Sequence, residues 1–97
     1  KANDIPKALT YLQQAYTLKP KDYETLRLLG VAYGLSGKTN EAVIYFQKAL
    51  EEKPEDTEAM FNYGTALLNA GQTEVGNQYI QKAIEKNPEI KKRYDME

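Results

Sequence analysis

The strongest constraint on this chain is a fixed interval of 34 residues, which separates Pro20 from Pro54 and Pro54 from Pro88. The same interval links two pairs of glycines and three sets of other residues. These are Gly30 with Gly64, Gly37 with Gly71, Tyr11 with Tyr45 and Tyr79, Gln13 with Gln47 and Gln81, and Ala15 with Ala49 and Ala83. A period in the range of about 20 to 50 residues is the signature of stacked repeats. The sequence therefore favours an architecture that presents a surface over one built around a reaction centre.

Each period has the pattern of two amphipathic helices joined by a short turn, because apolar residues recur at the spacing of one helical face. The predicted helices of the two full units cover residues 23–35, about 40–52, 57–69 and about 74–85. Gly37 suits the left-handed conformation after a helix end, and Thr39 or Asn40 suits the cap of the next helix. The residue before a proline avoids the helical region, so Pro20, Pro54 and Pro88 each mark the end of a second helix.

Incomplete repeats flank the two full units. We assign residues 1–20 to the second helix of a truncated repeat, 23–56 and 57–90 to full repeats, and 89–97 to a capping helix. Together residues 1–97 form a single domain. The chain opens at Lys1 without a methionine, so we expect a segment of a longer protein, and the compartment stays open with a cytoplasmic location favoured.

The charge balance limits the classes of partner. Thirteen basic and 14 acidic residues give a net charge of −1, which argues against nucleic acid and anionic membranes, since both attract a strongly basic face. No apolar run approaches the roughly 18 residues of a membrane span.

The residue types needed for common catalytic and metal sites are scarce. Histidine and cysteine are absent and Ser36 is the single serine, so no usual nucleophile–base pair and no zinc site can be assembled. The carboxylates among residues 51–58 flank a helix start, where negative charge is favourable. We therefore expect no enzyme activity, no metal and no cofactor.

Two glycines lie inside predicted helices at the same position of the period. Gly30 and Gly64 each cost a helix roughly 1 kcal/mol relative to alanine. A repeated cost of this kind predicts that a neighbouring helix approaches the backbone closely at both sites.

These recurring residues resemble the tetratricopeptide repeat. The residues that carry the resemblance are Leu26, Leu29, Gly30, Tyr33, Gly37, Ala42, Phe46, Ala49 and Pro54 in the first unit, and Met60, Tyr63, Gly64, Leu67, Gly71, Gly76, Ile80, Ala83 and Pro88 in the second. Leu26 stands where the family often has tryptophan, and Gly76 where it has alanine. The resemblance implies an all-α fold of antiparallel helix–turn–helix repeats stacked as a right-handed α-solenoid.

The resemblance also implies a function, a non-catalytic protein–protein interaction module that binds a peptide or helix in the concave groove lined by the first helices. The matching binding positions are Arg27, Leu28, Val31, Leu35, Phe61, Asn62, Thr65, Leu68 and Lys92, with Glu24, Glu58 and Asn69 beside them. The apolar members of this set are not needed for packing within a repeat, which leaves them for a partner. Alternatively, the helix over residues 89–97 or a further repeat covers part of the groove.

The same residues support two finer hypotheses. Chaperone adaptors of the family clamp a peptide carboxylate, and Arg27, Asn62 and Lys92 fit that pattern, whereas Val31 and Met96 depart from it. In the other hypothesis the chain is a scaffold segment that forms homo-oligomers, because a truncated first repeat leaves Leu9, Leu12 and Tyr16 exposed.

Overall fold

The computed structural model describes residues 4–95, and this part of the chain is helical without strands. Its helices are α1 (Ile5–Leu18), α2 (Tyr23–Leu35), α3 (Thr39–Glu52), α4 (Thr57–Asn69), α5 (Thr73–Lys86) and α6 (Glu89–Asp95). The first helices of the two full units, α2 and α4, have 13 residues each, and the second helices, α3 and α5, have 14 each. The all-α helix–turn–helix prediction is confirmed.

The turns inside the two full units share one hydrogen-bonding pattern. Gly37 and Gly71 have φ angles of 83° and 90°, in the left-handed region that favours glycine. The amide of Lys38 donates to the carbonyl of Tyr33 at 2.9 Å, and the amide of Gln72 donates to the carbonyl of Leu67 at 2.8 Å. A hydrogen bond that closes a turn of six residues in this way defines a Schellman motif, so the prediction for Gly37 is confirmed.

The predicted cap of α3 is wrong. Thr39 is already the first helical residue, and the cap position belongs to Lys38, whose side chain makes no capping hydrogen bond. The Schellman motif explains the difference, because it leaves a single residue between the left-handed glycine and the next helix.

Aspartates cap the first helices instead. The carboxylate of Asp22 accepts from the amide of Thr25 at 3.0 Å, and that of Asp56 accepts from the amide of Glu58 at 2.9 Å. The Thr25 hydroxyl also donates to Asp22 at 2.7 Å. These bonds to the ionised form lower the pKa of Asp22. Each first helix therefore starts at a side chain that satisfies its open amides.

The core is a series of small clusters, each contributed by successive helices. Leu12 of α1 packs with Leu29 and Ala32 of α2. Further along the chain, α3 and α4 contribute one cluster, and α4, α5 and α6 contribute another. Their members are Ala42, Phe46 and Ala66, and then Met60, Ala83 and Ile90. Because each helix packs mainly on its sequence neighbours, the core is linear, as in a solenoid.

The predicted close approach at the helix glycines is also confirmed. A Cβ placed on Gly30 would lie 2.8 Å from ring carbons of Phe46. On Gly64 it would lie 2.8 Å from the carbonyl oxygen of Gly76. The helix pairs of both repeats are thus spaced by positions without a side chain.

Candidate functional site

An apolar strip runs along α2 on the face that the sequence assigned to the groove. It consists of Leu28, Val31 and Leu35, whose spacing of three and four residues places them on one side of the helix. Their exposed fractions are 36%, 37% and 70%, respectively. We call these three residues the α2 strip. The apolar side chains expected to be free for a partner on α2 are therefore exposed.

The corresponding apolar residues of α4 pack against other helices. This corrects the expectation that they are not needed for packing. Phe61 is half-buried and packs against the cluster of Met60, Ala83 and Ile90. Leu68 is half-buried as well, and its Cδ2 atom lies 3.0 Å from where a Cβ of Gly76 would be. Sequence position alone could not show this, because both contacts come from helices later in the chain.

A pocket of about 130 Å³ opens between α2, α3 and α4. Its lining residues are Gly34 of α2, Thr39, Ala42 and Phe46 of α3, and Phe61, Asn62, Thr65, Ala66 and Asn69 of α4. We call it the α2–α4 pocket. Gly34 follows Val31 by about one helical turn, so the pocket adjoins the α2 strip. Asn69 was among the predicted groove positions. Gly34 and Thr39 were not, since the space between helices depends on packing that the repeat pattern does not encode.

The lining of the α2–α4 pocket is uncharged and has two chemical parts. Ala42, Phe46 and Ala66 are buried together in one core cluster and provide apolar surface. The side chains of Thr39, Asn62, Thr65 and Asn69 provide hydroxyl and carboxamide groups. The pocket therefore combines an apolar interior with neutral groups that donate and accept hydrogen bonds.

Thr65 is the unusual member of this polar group. Its hydroxyl oxygen is buried, and within the described residues it has no hydrogen-bond partner. Other helical threonines of the chain behave differently, since Thr10 and Thr17 donate to carbonyls one turn earlier at 3.1 and 3.0 Å. A buried hydroxyl without a partner costs free energy, so this one calls for an explanation.

The charged residues at the edge of the groove are paired with each other. Arg27 donates a hydrogen bond to Glu24, which lowers the pKa of Glu24 and raises the pKa of Arg27. A bound carboxylate would have to displace this ion pair. Lys92 is exposed on α6, and Met96 lies outside the described residues. The carboxylate clamp built on Arg27, Asn62 and Lys92 thus stays an untested prediction.

The exposed apolar surface of α1 differs from the predicted one. Leu12 is 9% exposed and belongs to the core, with Leu9 and Tyr16 packed against it, because α1 turns this side toward α2. The exposed apolar side chains of α1 are instead Tyr11 and Leu18, at 71% and 82%. The predicted edge at Leu9, Leu12 and Tyr16 is therefore wrong in its residues.

The described residues also bear on metal binding and on membrane insertion. Among residues 4–95, no group of three or more histidine, cysteine, aspartate or glutamate side chains is arranged to hold a metal ion. None of the described helices has the length and apolar character required to cross a membrane.

Comparisons with known proteins bear on the whole chain. Two family models described as tetratricopeptide repeat match it, one over residues 35–95 and the other over residues 1–57. No curated protein matches the sequence.

Solved structures with the same fold include parts of larger proteins. A mutant O-GlcNAc transferase from Thermobaculum terrenum is 25% identical, with a TM-score of 0.81 over 91% of this chain and 17% of that chain. A MamA structure is 26% identical, with a TM-score of 0.79 over 99% of this chain and 52% of that chain. A second MamA structure is 25% identical, with a TM-score of 0.80 and a coverage of 94% and 53%. The chain spans about half of MamA and less than a fifth of the transferase.

Proposed function

This chain belongs to the tetratricopeptide repeat family, and from that premise we propose that it binds a peptide or an amphipathic helix on the face formed by α2 and α4. Tetratricopeptide repeats generally serve as non-catalytic protein–protein interaction modules. In this chain the contact is assigned to one face, with Leu28, Val31 and Leu35 as the central residues.

The observation that carries the proposal is the exposed α2 strip beside the α2–α4 pocket. Three apolar side chains on one side of a helix are normally buried against another element. Here they remain exposed although Leu26 and Leu29 of the same helix are fully buried. An apolar strip next to a concave pocket suits the anchor residues of a bound peptide or helix.

The proposed face can be tested with selected peptides. The longest dimension of the molecule is 35 Å, which corresponds to an extended peptide of about ten residues. A random library of that length would be selected against the chain, and fluorescence anisotropy would measure the affinity of the resulting peptides. We expect Leu35→Glu to weaken binding at least about tenfold, because it places a charge in the apolar contact.

The matched control for this experiment is Ile44→Glu, which changes an apolar side chain of α3 that is also exposed. Neither substitution should alter thermal unfolding appreciably, since both sites are on the surface. Equal affinity of the Leu35→Glu variant and the unchanged chain, or a loss confined to Ile44→Glu, would contradict the proposed face. Phe61→Glu is a poorer test because Phe61 packs against the core.

A second candidate function, self-association, is favoured by the exposed Tyr11 and Leu18 of α1. Tyr45 stands at the position of Tyr11 in the next repeat, and its ring packs against Tyr16 and Tyr33 with both centroids at 5.5 Å. Tyr16 comes from the preceding second helix, and Tyr11 has no such helix before it in the described residues. A second copy of the chain would supply comparable surface.

Sedimentation velocity over a range of protein concentrations tests this second candidate. We expect the unchanged chain to form dimers as concentration rises, whereas Leu18→Glu should remain monomeric because a charge replaces an apolar contact. Lys7→Glu on the same helix is the control for the added charge. A chain that stays monomeric at every concentration would rule the candidate out.

A further inference from the structure

Resting on the proposed function, we propose that the α2–α4 pocket sets the specificity of the binding face by receiving one uncharged apolar side chain of a bound peptide. The side chain is of leucine, methionine or phenylalanine size. The main-chain amides that flank it are held by the neutral side chains at the rim, above all Asn62 and Asn69.

The size of the pocket limits what can enter. Its volume of about 130 Å³ is close to that of an engineered protein cavity of about 150 Å³ that binds benzene. A branched aliphatic group or a single six-membered ring therefore fits. An indole ring is larger than benzene by a fused second ring and would extend beyond this volume.

The electrostatics of the pocket exclude a charged anchor. All nine lining residues are uncharged, and Ala42, Phe46 and Ala66 form the apolar part. A carboxylate or ammonium group that entered would lose its hydration and find no ion partner there. Arg27, a cation at the edge of the same face, is already engaged by Glu24.

The rim favours a peptide over a simple hydrocarbon ligand. Within the part of the chain that the structure describes, the side chains of Thr39, Asn62 and Asn69 make no hydrogen bond to another residue. The buried hydroxyl of Thr65 is unpartnered too. A carboxamide donates and accepts at once, which matches the N–H and C=O groups on either side of a peptide side chain. These groups line the α2–α4 pocket together with its apolar surface.

Capped amino acids are the simplest probes of this inference. N-acetyl-leucine N-methylamide and its phenylalanine analogue each carry one apolar side chain between two amides, and the aspartate and lysine analogues replace that side chain with a charge. We expect saturable NMR shifts for the leucine and phenylalanine probes in the side-chain amide signals of Asn62 and Asn69. The dissociation constants should be on the order of millimolar, as expected for so small a ligand. The aspartate and lysine probes should leave these signals unchanged.

Variants at Gly34 test whether the shifts arise in the pocket. A Cβ at Gly34 has Ala42 Cβ at 3.9 Å as its nearest neighbour, so a side chain can be added without disturbing the fold. Gly34→Met should fill the opening and abolish the shifts. Gln78→Met, an exposed position on α5, is the control and should leave them intact. Asn62→Leu should weaken the leucine probe about tenfold, because it removes a hydrogen-bonding group of the rim.

Aspartate and leucine probes that bind equally would overturn the inference, as would leucine-probe shifts that persist in Gly34→Met. The selected peptides separate this failure from failure of the proposed function. If Leu35→Glu abolishes their binding and Gly34→Met does not, the face binds peptides and the pocket is not its specificity site. If Leu35→Glu has no effect while the leucine probe still requires an open pocket, the pocket accepts an apolar side chain but the α2 strip is not part of the face that binds peptides.

Discussion

Gly64→Ala is expected to lower the free energy of unfolding by about 2 kcal/mol, although alanine favours a helix by about 1 kcal/mol over glycine. The added Cβ would lie 2.8 Å from the carbonyl oxygen of Gly76 and 3.1 Å from the backbone nitrogen of Ile80. Both atoms belong to the α5 backbone, so relief of the contact requires α4 and α5 to separate. The helix propensity of alanine offsets only part of that loss in packing.

Gly34→Ala is the matched control because the new methyl group has room at that site. Gly34 is an exposed residue inside α2, and the substitution should raise the free energy of unfolding by about 0.5–1 kcal/mol. Thermal unfolding followed by circular dichroism measures both variants, and 1 kcal/mol shifts the midpoint by roughly 4–8 °C in a domain of this size. Midpoints that rise together would show that backbone contact does not set the distance between α4 and α5.

The same geometry explains a departure from the family pattern. Gly76 stands where the repeat usually has alanine, and a Cβ there would lie 2.7 Å from the carbonyl oxygen of Gly64. In the preceding repeat Gly30 meets the ring of Phe46, and a Cβ on Gly64 would likewise lie 2.8 Å from Cγ1 of Ile80, the residue equivalent to Phe46. The second helix pair therefore adds a backbone contact between Gly64 and Gly76 to the side-chain contact that both pairs share.

The sequence predicted the regular parts of the fold accurately because they depend on local patterns. The bounds of α2 and α4 agree with the predicted 23–35 and 57–69. The second helices α1, α3 and α5 each end two residues before a proline of the 34-residue period. Left-handed glycines and residues before proline restrict the backbone by themselves, so no tertiary information is needed to place them.

The candidate site was predicted less well because its side chains depend on distant neighbours. The α2 strip was identified from its position in the repeat. The roles of Phe61 and Leu68 could not be identified in this way, since their partners lie on α5 and α6. Leu12 was assigned to an exposed edge for the same reason, although it packs against Leu29. The repeat pattern gives the face of a helix, and the packing of the whole stack decides what on that face is exposed.

Ile90 shows where the period itself stops. The two residues before it in the 34-residue series, Asp22 and Asp56, are exposed or half-buried caps, whereas Ile90 is 1% exposed. Continuation of the period would start a helix at residue 91, and α6 starts at Glu89. Because α6 starts early, Ile90 packs with Met60 and Ala83 and attaches α6 to the stack. The equivalent residues of the two full repeats, Asp22 and Asp56, cap a helix instead.

Ile90→Ala is accordingly expected to lower the free energy of unfolding by about 2–4 kcal/mol and to release α6 from α4 and α5. Thermal unfolding would measure the first effect, and hydrogen exchange of the α6 amides the second. Lys92→Ala changes an exposed residue of the same helix and should leave both unchanged.

Release of α6 would also uncover the side of Phe61 that faces this cluster, while the α2 strip stays as it is. Peptides that bind through the α2 strip and the α2–α4 pocket should then keep most of their affinity in Ile90→Ala at temperatures where the variant is folded. A large loss of affinity would mean that α6 is part of the binding face and does not merely complete the core beside it.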